Sequence, residues 1–349
     1  AQSKFLRNQV QEDLNFLKTS LEETHYSLYA YTPKPEFEDN FNAVRASVEK
    51  DSLSLLEATN LFQRAISKAN NGHTEIDFPA AFYIEYAKRG GTVFPLELAF
   101  EDSRALVRKN WSRDSSIGAG NEILSINGEP MAEILERIYP QVSAERPYFK
   151  NTKIEMYSFP RYYWQVFGEQ DSFEIEMRSG DKVKKQTIRA VPAIEGYEMK
   201  RTEILNAQMK LEFFGSSAYL NPGSFGGDQE KYQKFIDSAF AEIKRRKSKN
   251  LIIDLRNNSG GDDSFSDYLV SYFADKAFKW SSGFTLKTSA LLKKDTRKNR
   301  DTTRAFWKEV LTHEDGEVYT YNFKEYQLQT EEKRFHGNVY VLSNRQSHS

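Results

Sequence analysis

Three stretches carry residue types that could do chemistry together. They are "LIIDLRNNSGGDDSFSDYL" from Leu251, "NNGHTEIDFP" from Asn70 and "GNVYVLSNRQSHS" from Gly337. In the first, an apolar run ends in two Asn, Ser259 and the pair Gly260-Gly261, and a helical pattern follows. Backbone N–H groups at a helix N-terminus lack partners and can face a ligand. Paired glycines have no Cβ, so another backbone can approach their amides closely. Fixed donors of this kind suit charge that develops only in a transition state, which makes Gly260 and Gly261 an oxyanion-hole candidate. A plain tight strand-to-helix turn has the same composition. The phosphate-loop pattern G-x-x-x-x-G-K-[ST] is absent.

His73 follows Gly72 and precedes Thr74–Phe78, expected to be a short strand. Of the five histidines, it alone is set between two regular elements by strong punctuation. That makes it the candidate general base. His25 falls in a helical pattern, His313 in a polar loop, and His336 and His348 flank the last strand. Ser349 follows the strand Val339–Leu342 through a polar turn. A serine at such a turn can present its hydroxyl at a sheet edge; a frayed terminus is the simpler reading of the same residue. No H-E-x-x-H or paired-carboxylate spacing occurs, so no metal is expected. No G-x-S-x-G elbow occurs either. The chain has no cysteine. That excludes a disulfide frame, a Cys-ligated metal, a thiol nucleophile and a lipid-modified Cys. No cofactor is implied.

The elements that must position these residues fall into blocks. Phe5, Leu6, Val10, Leu14, Leu17 and Leu21 are spaced for a first helix. Pro33 and Pro35 interrupt, and further helical stretches begin near Phe41 and Ser54. Ser54 with Glu57 fits a capping box. Asn71-Gly72 ends this helical block. Residues 91 to 195 read as β-rich. "TVFPLELAF" and "RALVRKNW" are strands, "NEILSINGEPMAEILERI" is strand, Asn127-Gly128 turn and helix, and "SFEIEMRSGDKVKKQTIRAV" is a hairpin. From about residue 205, "MKLEFFG" and "SAYLNPGSF" are strands, "DQEKYQKFIDSAFAEIKRR" is an amphipathic helix, and "NLIIDLR" is a strand. Its run Leu251, Ile252, Ile253 predicts burial on both faces. "SFSDYLVSYFADKAF" reads as one helix. Strand, helix, strand, helix makes an α/β unit.

At 349 residues the chain is too long for one ordinary core. Its 25 Phe and 19 Tyr supply ample material for packed interiors. The formal net charge of −1 gives no global field toward nucleic acid or an anionic membrane. Two basic runs, "IKRRKSK" from Ile243 and "KKDTRKNR" from Lys293, read as solvated faces. The first is the exposed end of a helix; the second lies in a stretch without helical or strand period. No apolar run approaches the ~20 residues of a membrane span. The opening "AQSKF" is what removal of a secretory signal would leave, so the expected location is periplasmic or extracellular.

Taken together, these stretches resemble the C-terminal-processing, or tail-specific, serine peptidases. "NLIIDLRNNSGGDD" matches that family's strand and glycine pair before a helix. "IGAGNEILSINGEPMAEIL" resembles the core of the PDZ-like module that such peptidases carry. "GNVYVLSNRQSHS" resembles the strand leading to the nucleophile, which falls on Ser349. "NNGHTEIDF" resembles the "DGHT" segment of the branch related to the tricorn core, where the His serves as general base; Asn71 stands where that branch often has Asp. The better-known branch uses a Ser–Lys dyad instead.

The resemblance implies an α/β multidomain protein. Residues 1–72 would form an N-terminal helical unit and 73–90 a first peptidase-core segment. Residues 91–198 would form a PDZ-like module, and 199–349 a crotonase-like ββα core that is incomplete. It implies a serine endopeptidase with Ser349 as nucleophile, His73 as base and Gly260 or Gly261 as oxyanion donor, acting on unstructured protein tails. The PDZ-like module would add an extended peptide to a sheet edge. Family members continue past the nucleophile with a second oxyanion donor, so the chain reads as the front portion of a longer protein that would be nearly inactive alone. Two other readings share the frame: a non-catalytic peptide-binding protein, and an acyl-CoA enzyme of crotonase type. The PDZ-like segment and His73 argue against the last. Gly261→Val is expected to exclude substrate more than it destabilises.

Overall fold

Hydrophobic spacing sets three N-terminal helices, Arg7–Thr24, Lys34–Ala46 and Leu55–Ile66. In the computed structural model, which describes residues 4–204 and 208–348, these helices bury Val10, Leu14, Phe41, Val44, Leu61 and Ala65 against one another. The capping box forms as its residue types dictate. Ser54 Oγ accepts from Glu57 N–H, and Glu57 Oε2 accepts from Ser54 N–H at 2.8 Å. Phe5 and Leu6 are not helical. They lie in a short strand, Lys4–Leu6, paired antiparallel with Ser52–Ser54.

The chain divides into two units, residues 1–204 and 205–349. Within the first, the strands run in the order Leu96–Glu101, Arg104–Asn110, Glu122–Ile126, Ser172–Ser179 and Lys182–Arg189, all antiparallel. Helices Met131–Ile138, Pro147–Tyr157 and Phe159–Phe167 accompany the sheet. Their apolar faces, with Ile134, Ile138, Ile154 and Phe159, share a core with Leu96, Leu98, Ile123, Phe173 and Ile175. Two-residue turns with positive φ at Asn127 and Gly128 and at Gly180 produce the tight reversals that the sequence signalled.

The expected strand Thr74–Phe78 does not form; the segment is irregular. Its backbone finds other partners. Gln63 Nε2 donates to both Ile76 O and Asp77 O at 3.1 Å. A side chain therefore satisfies the carbonyls that a strand would have paired.

The second unit is a four-stranded sheet in the order Lys210–Phe214, Ser217–Asn221, Asn250–Asp254, Asn338–Leu342. The first pair is antiparallel and the other two are parallel. Helix Gln229–Arg245 makes the crossover between the second and third strands, and helix Asp263–Val270 follows the third. Ala218, Leu220, Leu251 and Ile253 face Ile236, Phe240, Ile243, Phe265 and Leu269 in one core. Leu251 and Ile253 are buried but Ile252 is only half-buried, so the expected burial on both faces holds for one face. The last strand lies at the sheet edge, and Tyr340 and Val341 are more than half exposed.

Two further expectations need correction. "SFSDYLVSYFADKAF" is helical only through Val270; beyond it the chain passes into tighter turns, with Tyr272 N–H donating to Leu269 O and Phe273 N–H to Val270 O. The run from Lys293 lies in a real helix, Ala290–Asn299, started by Ser289 Oγ accepting from Leu292 N–H. Its charged surface hid the period. Among the described residues no helix is long and apolar enough to cross a membrane.

Candidate active site

The three loops that leave the carboxyl ends of the parallel strands Ser217–Asn221, Asn250–Asp254 and Asn338–Leu342 converge within the second unit. Ligands of open α/β sheets bind at that end. Asp254, 1% exposed, closes its strand. Its carboxylate accepts from Tyr219 Oη at 2.6 Å and from Arg256 through the backbone N–H, Nε and a terminal guanidinium nitrogen at 2.8–3.0 Å. Burial alone would raise its pKa. The hydrogen bonds from Arg256 and Tyr219 overcome this and hold it down at about 2. Sequence reasoning passed over this residue. Its only signal was a carboxylate ending an apolar strand two positions before an arginine.

The loop that follows is organised by asparagines. Asn258 Oδ1 accepts from Gly260 N–H at 2.8 Å, and Asn258 Nδ2 donates to Gly223 O at 2.9 Å. Gly260 has φ +84° and Gly261 φ +141°. Gly261 forms a bridge with Phe225, and Asp262 N–H donates to Phe225 O at 2.8 Å. A Cβ on Gly261 would stand 2.0 Å from that carbonyl oxygen. Glycine is therefore required by the turn itself, and Gly261→Val would break the loop rather than merely crowd a substrate. The two amides also differ. Gly260 N–H is already bonded, whereas Gly261 N–H makes no hydrogen bond among the described residues.

The adjoining helix end does not attract anions. Asp262 Oδ1 caps it by accepting from Ser264 N–H at 2.9 Å. Asp263 and Asp267 lie within the helix, and burial, followed by repulsion from Asp263 and Asp262, lifts the Asp267 carboxyl to about 6.

The segment before Ser349 is fastened to the same loop. Leu255 N–H donates to Leu342 O at 2.9 Å. Asn257 N–H donates to Asn344 Oδ1 at 3.1 Å, and Asn344 Nδ2 donates to Asn257 Oδ1 at 2.9 Å. Ser347 Oγ donates to Leu255 O at 2.7 Å, and His348 N–H donates to Asn258 O at 3.2 Å. Ser349 itself lies outside the described residues.

His73 belongs to the first unit and is exposed. Its N–H donates to Asn71 Oδ1 at 2.9 Å, and Thr74 N–H donates to Asn71 O at 2.9 Å. Side chains from elsewhere grip this turn. Glu145 Oε1 accepts from Gly72 N–H at 2.8 Å, Ser143 Oγ donates to Asn71 O at 2.8 Å, and Lys153 Nζ donates to Gly72 O at 2.7 Å. His25 Nδ1 accepts from Ser27 N–H, so in the neutral ring Nε2 donates to Thr74 Oγ1 at 2.8 Å. Sequence reasoning missed all four supports. They are distant in the chain and no local pattern marks them.

Residues 216–349 match the family model for Peptidase family S41. Through this segment the chain is similar to peptidase family S41. The similarity supports a serine-type peptidase, and the fold is α/β and multidomain. Among solved structures, mature CPAF complexed with lactacystin superposes with a TM-score of 0.63 at 14% identity, covering 97% of this chain and 80% of that one. Mature CPAF gives 0.58 at 14% identity, covering 98% and 80%. These likenesses establish the fold. No curated protein sequence matches the chain significantly. Among the described residues no group of three or more His, Asp or Glu could hold a metal ion.

Proposed function

We propose that this protein is a serine endopeptidase in which Ser349 Oγ attacks the scissile carbonyl. His73 takes the hydroxyl proton and returns it to the leaving amine. Gly261 N–H stabilises the oxyanion; Gly260 contributes by shaping the turn, since its own amide is bonded to Asn258. The supporting observation is the tether of residues 344–348 to residues 255–258, which ends with His348 N–H on Asn258 O, two residues before Gly260. Residues 344–348 are thus bound to the loop that bears the glycine pair.

Substrates are unstructured protein tails, presented by a PDZ-like module spanning residues 91–198. Of the two edge strands there, Lys182–Arg189 is the candidate for strand addition; on the other, Phe100 N–H donates to Glu155 Oε1 at 2.6 Å. The test is hydrolysis of a panel of peptides with free and blocked C-termini. Faster cleavage of proteins with disordered tails, lost in Ser349→Ala, supports the reading. Peptide binding without cleavage in the parent protein would leave a peptide-holding frame instead.

A further inference from the structure

We propose that Lys153, with Glu145 as its counterpart, is the positioning residue for the His73 turn; the inference rests on the reading of His73 as general base. Helix Pro147–Tyr157 brings Lys153 to the turn. Its ammonium carries three N–H bonds and meets three acceptors: Gly72 O at 2.7 Å, Glu75 Oε2 at 2.7 Å and Ser143 O at 3.0 Å. The side chain is 3% exposed. A buried cation persists only where it is paired and hydrogen-bonded, and here every donor is used.

The choice of acceptors gives the arrangement its meaning. Gly72 O belongs to the peptide bond that joins Gly72 to His73. The other end of that bond, His73 N–H, is held by Asn71 Oδ1. Lys153 therefore fixes the plane of the peptide from which the imidazole departs. Glu145 fixes the preceding peptide through Gly72 N–H. A negative group on the donor and a positive group on the acceptor clamp one residue from both sides. Gly72 admits this close approach because a Cβ there would stand 2.8 Å from the Phe149 ring and 3.1 Å from the Glu145 carboxylate. Helix 147–157 is itself anchored, since Glu155 Oε1 accepts from Phe100 N–H in the sheet. The imidazole is thus exposed, but the turn beneath it stands on a rigid element, as a group needing sub-ångström placement requires.

The test is steady-state peptide hydrolysis with thermal melts for the parent, His73→Ala, Lys153→Met, Lys153→Arg and Glu145→Gln. His73→Ala should abolish turnover. Lys153→Met should lower kcat roughly ten- to a hundredfold, the scale of a small misplacement of a reacting group, with KM within about twofold of the parent. Lys153→Arg should recover part of the loss, and Glu145→Gln should lose less than Lys153→Met. Full turnover in His73→Ala would remove the base assignment and this inference with it. An inactive His73→Ala beside a Lys153→Met at parental kcat would overturn the role of Lys153 alone. If Lys153→Met does not melt cooperatively, Glu145→Gln decides. Reduced kcat at unchanged KM supports the clamp, and unchanged kcat overturns it.

Discussion

The His73 turn and the Gly260–Gly261 turn are held by different means. Around His73 the grip is ionic and remote: Lys153 and Glu145 reach the turn across more than seventy residues of sequence. Around the glycine pair the grip is neutral and built from backbone and amide groups: Asn258, Asn344 and the carbonyl of Phe225. A base must keep its ring exposed while its backbone stays fixed, and buried charges supply strong, directed bonds for that. An oxyanion site needs a free amide and no nearby side chain, so close backbone approach and missing Cβ atoms serve better. The two turns should therefore fail in different ways.

The largest effects come from the groups assigned to the chemistry. Ser349→Ala or His73→Ala should each lower kcat by about 10⁴- to 10⁶-fold, read in peptide hydrolysis, with the melting curve unchanged. Next comes the glycine turn. Gly261→Ala should cost about 1–3 kcal/mol in denaturant unfolding, because its Cβ would collide with a backbone carbonyl that cannot swing aside. By contrast, Gly72→Ala meets the Phe149 ring and the Glu145 carboxylate, side-chain atoms that can shift, so it should destabilise less.

A comparable effect should follow pH at Asp254. Its folded pKa, about 2, lies below the ordinary value of 3.8. The stabilisation, about 2 kcal/mol at order of magnitude, is complete above pH 4 and is lost as pH falls toward 2. Asp254→Asn should therefore be less stable than the parent at pH 7, and the gap should narrow as pH falls from about 4 to 2. Urea melts across that range check it. The smallest effect belongs to the tether. Asn344→Ala should cost about 1 kcal/mol, the scale of the neutral hydrogen bonds it removes, and should slow turnover more than it lowers the melting temperature.

The same contrast explains what the sequence made legible. The glycine turn was readable because its constraints are local: an apolar strand, asparagines that bond their own backbone, and glycines where φ is positive. The Ser54 cap, the Asn127-Gly128 turn and the crossover helix Gln229–Arg245 were readable for the same reason. The supports of His73 were not. Nothing near Lys153 distinguishes a buried lysine from a surface one, because its partners are set by tertiary folding. The supposed strand after His73 failed on the same ground, since Gln63 takes its carbonyls. Helix Ala290–Asn299 was hidden by a polar surface that buries little beyond Thr296. Asp254 was overlooked because one carboxylate at a strand end carries no period.

The most direct measurement is mass-spectrometric mapping of a serine-directed fluorophosphonate in the parent protein and in His73→Ala. Modification of Ser349 in the parent, with labelling lost in His73→Ala while both melt cooperatively, is the predicted result. An unmodified Ser349 in the folded parent, or equal labelling of both proteins, would contradict the assignment of nucleophile and base.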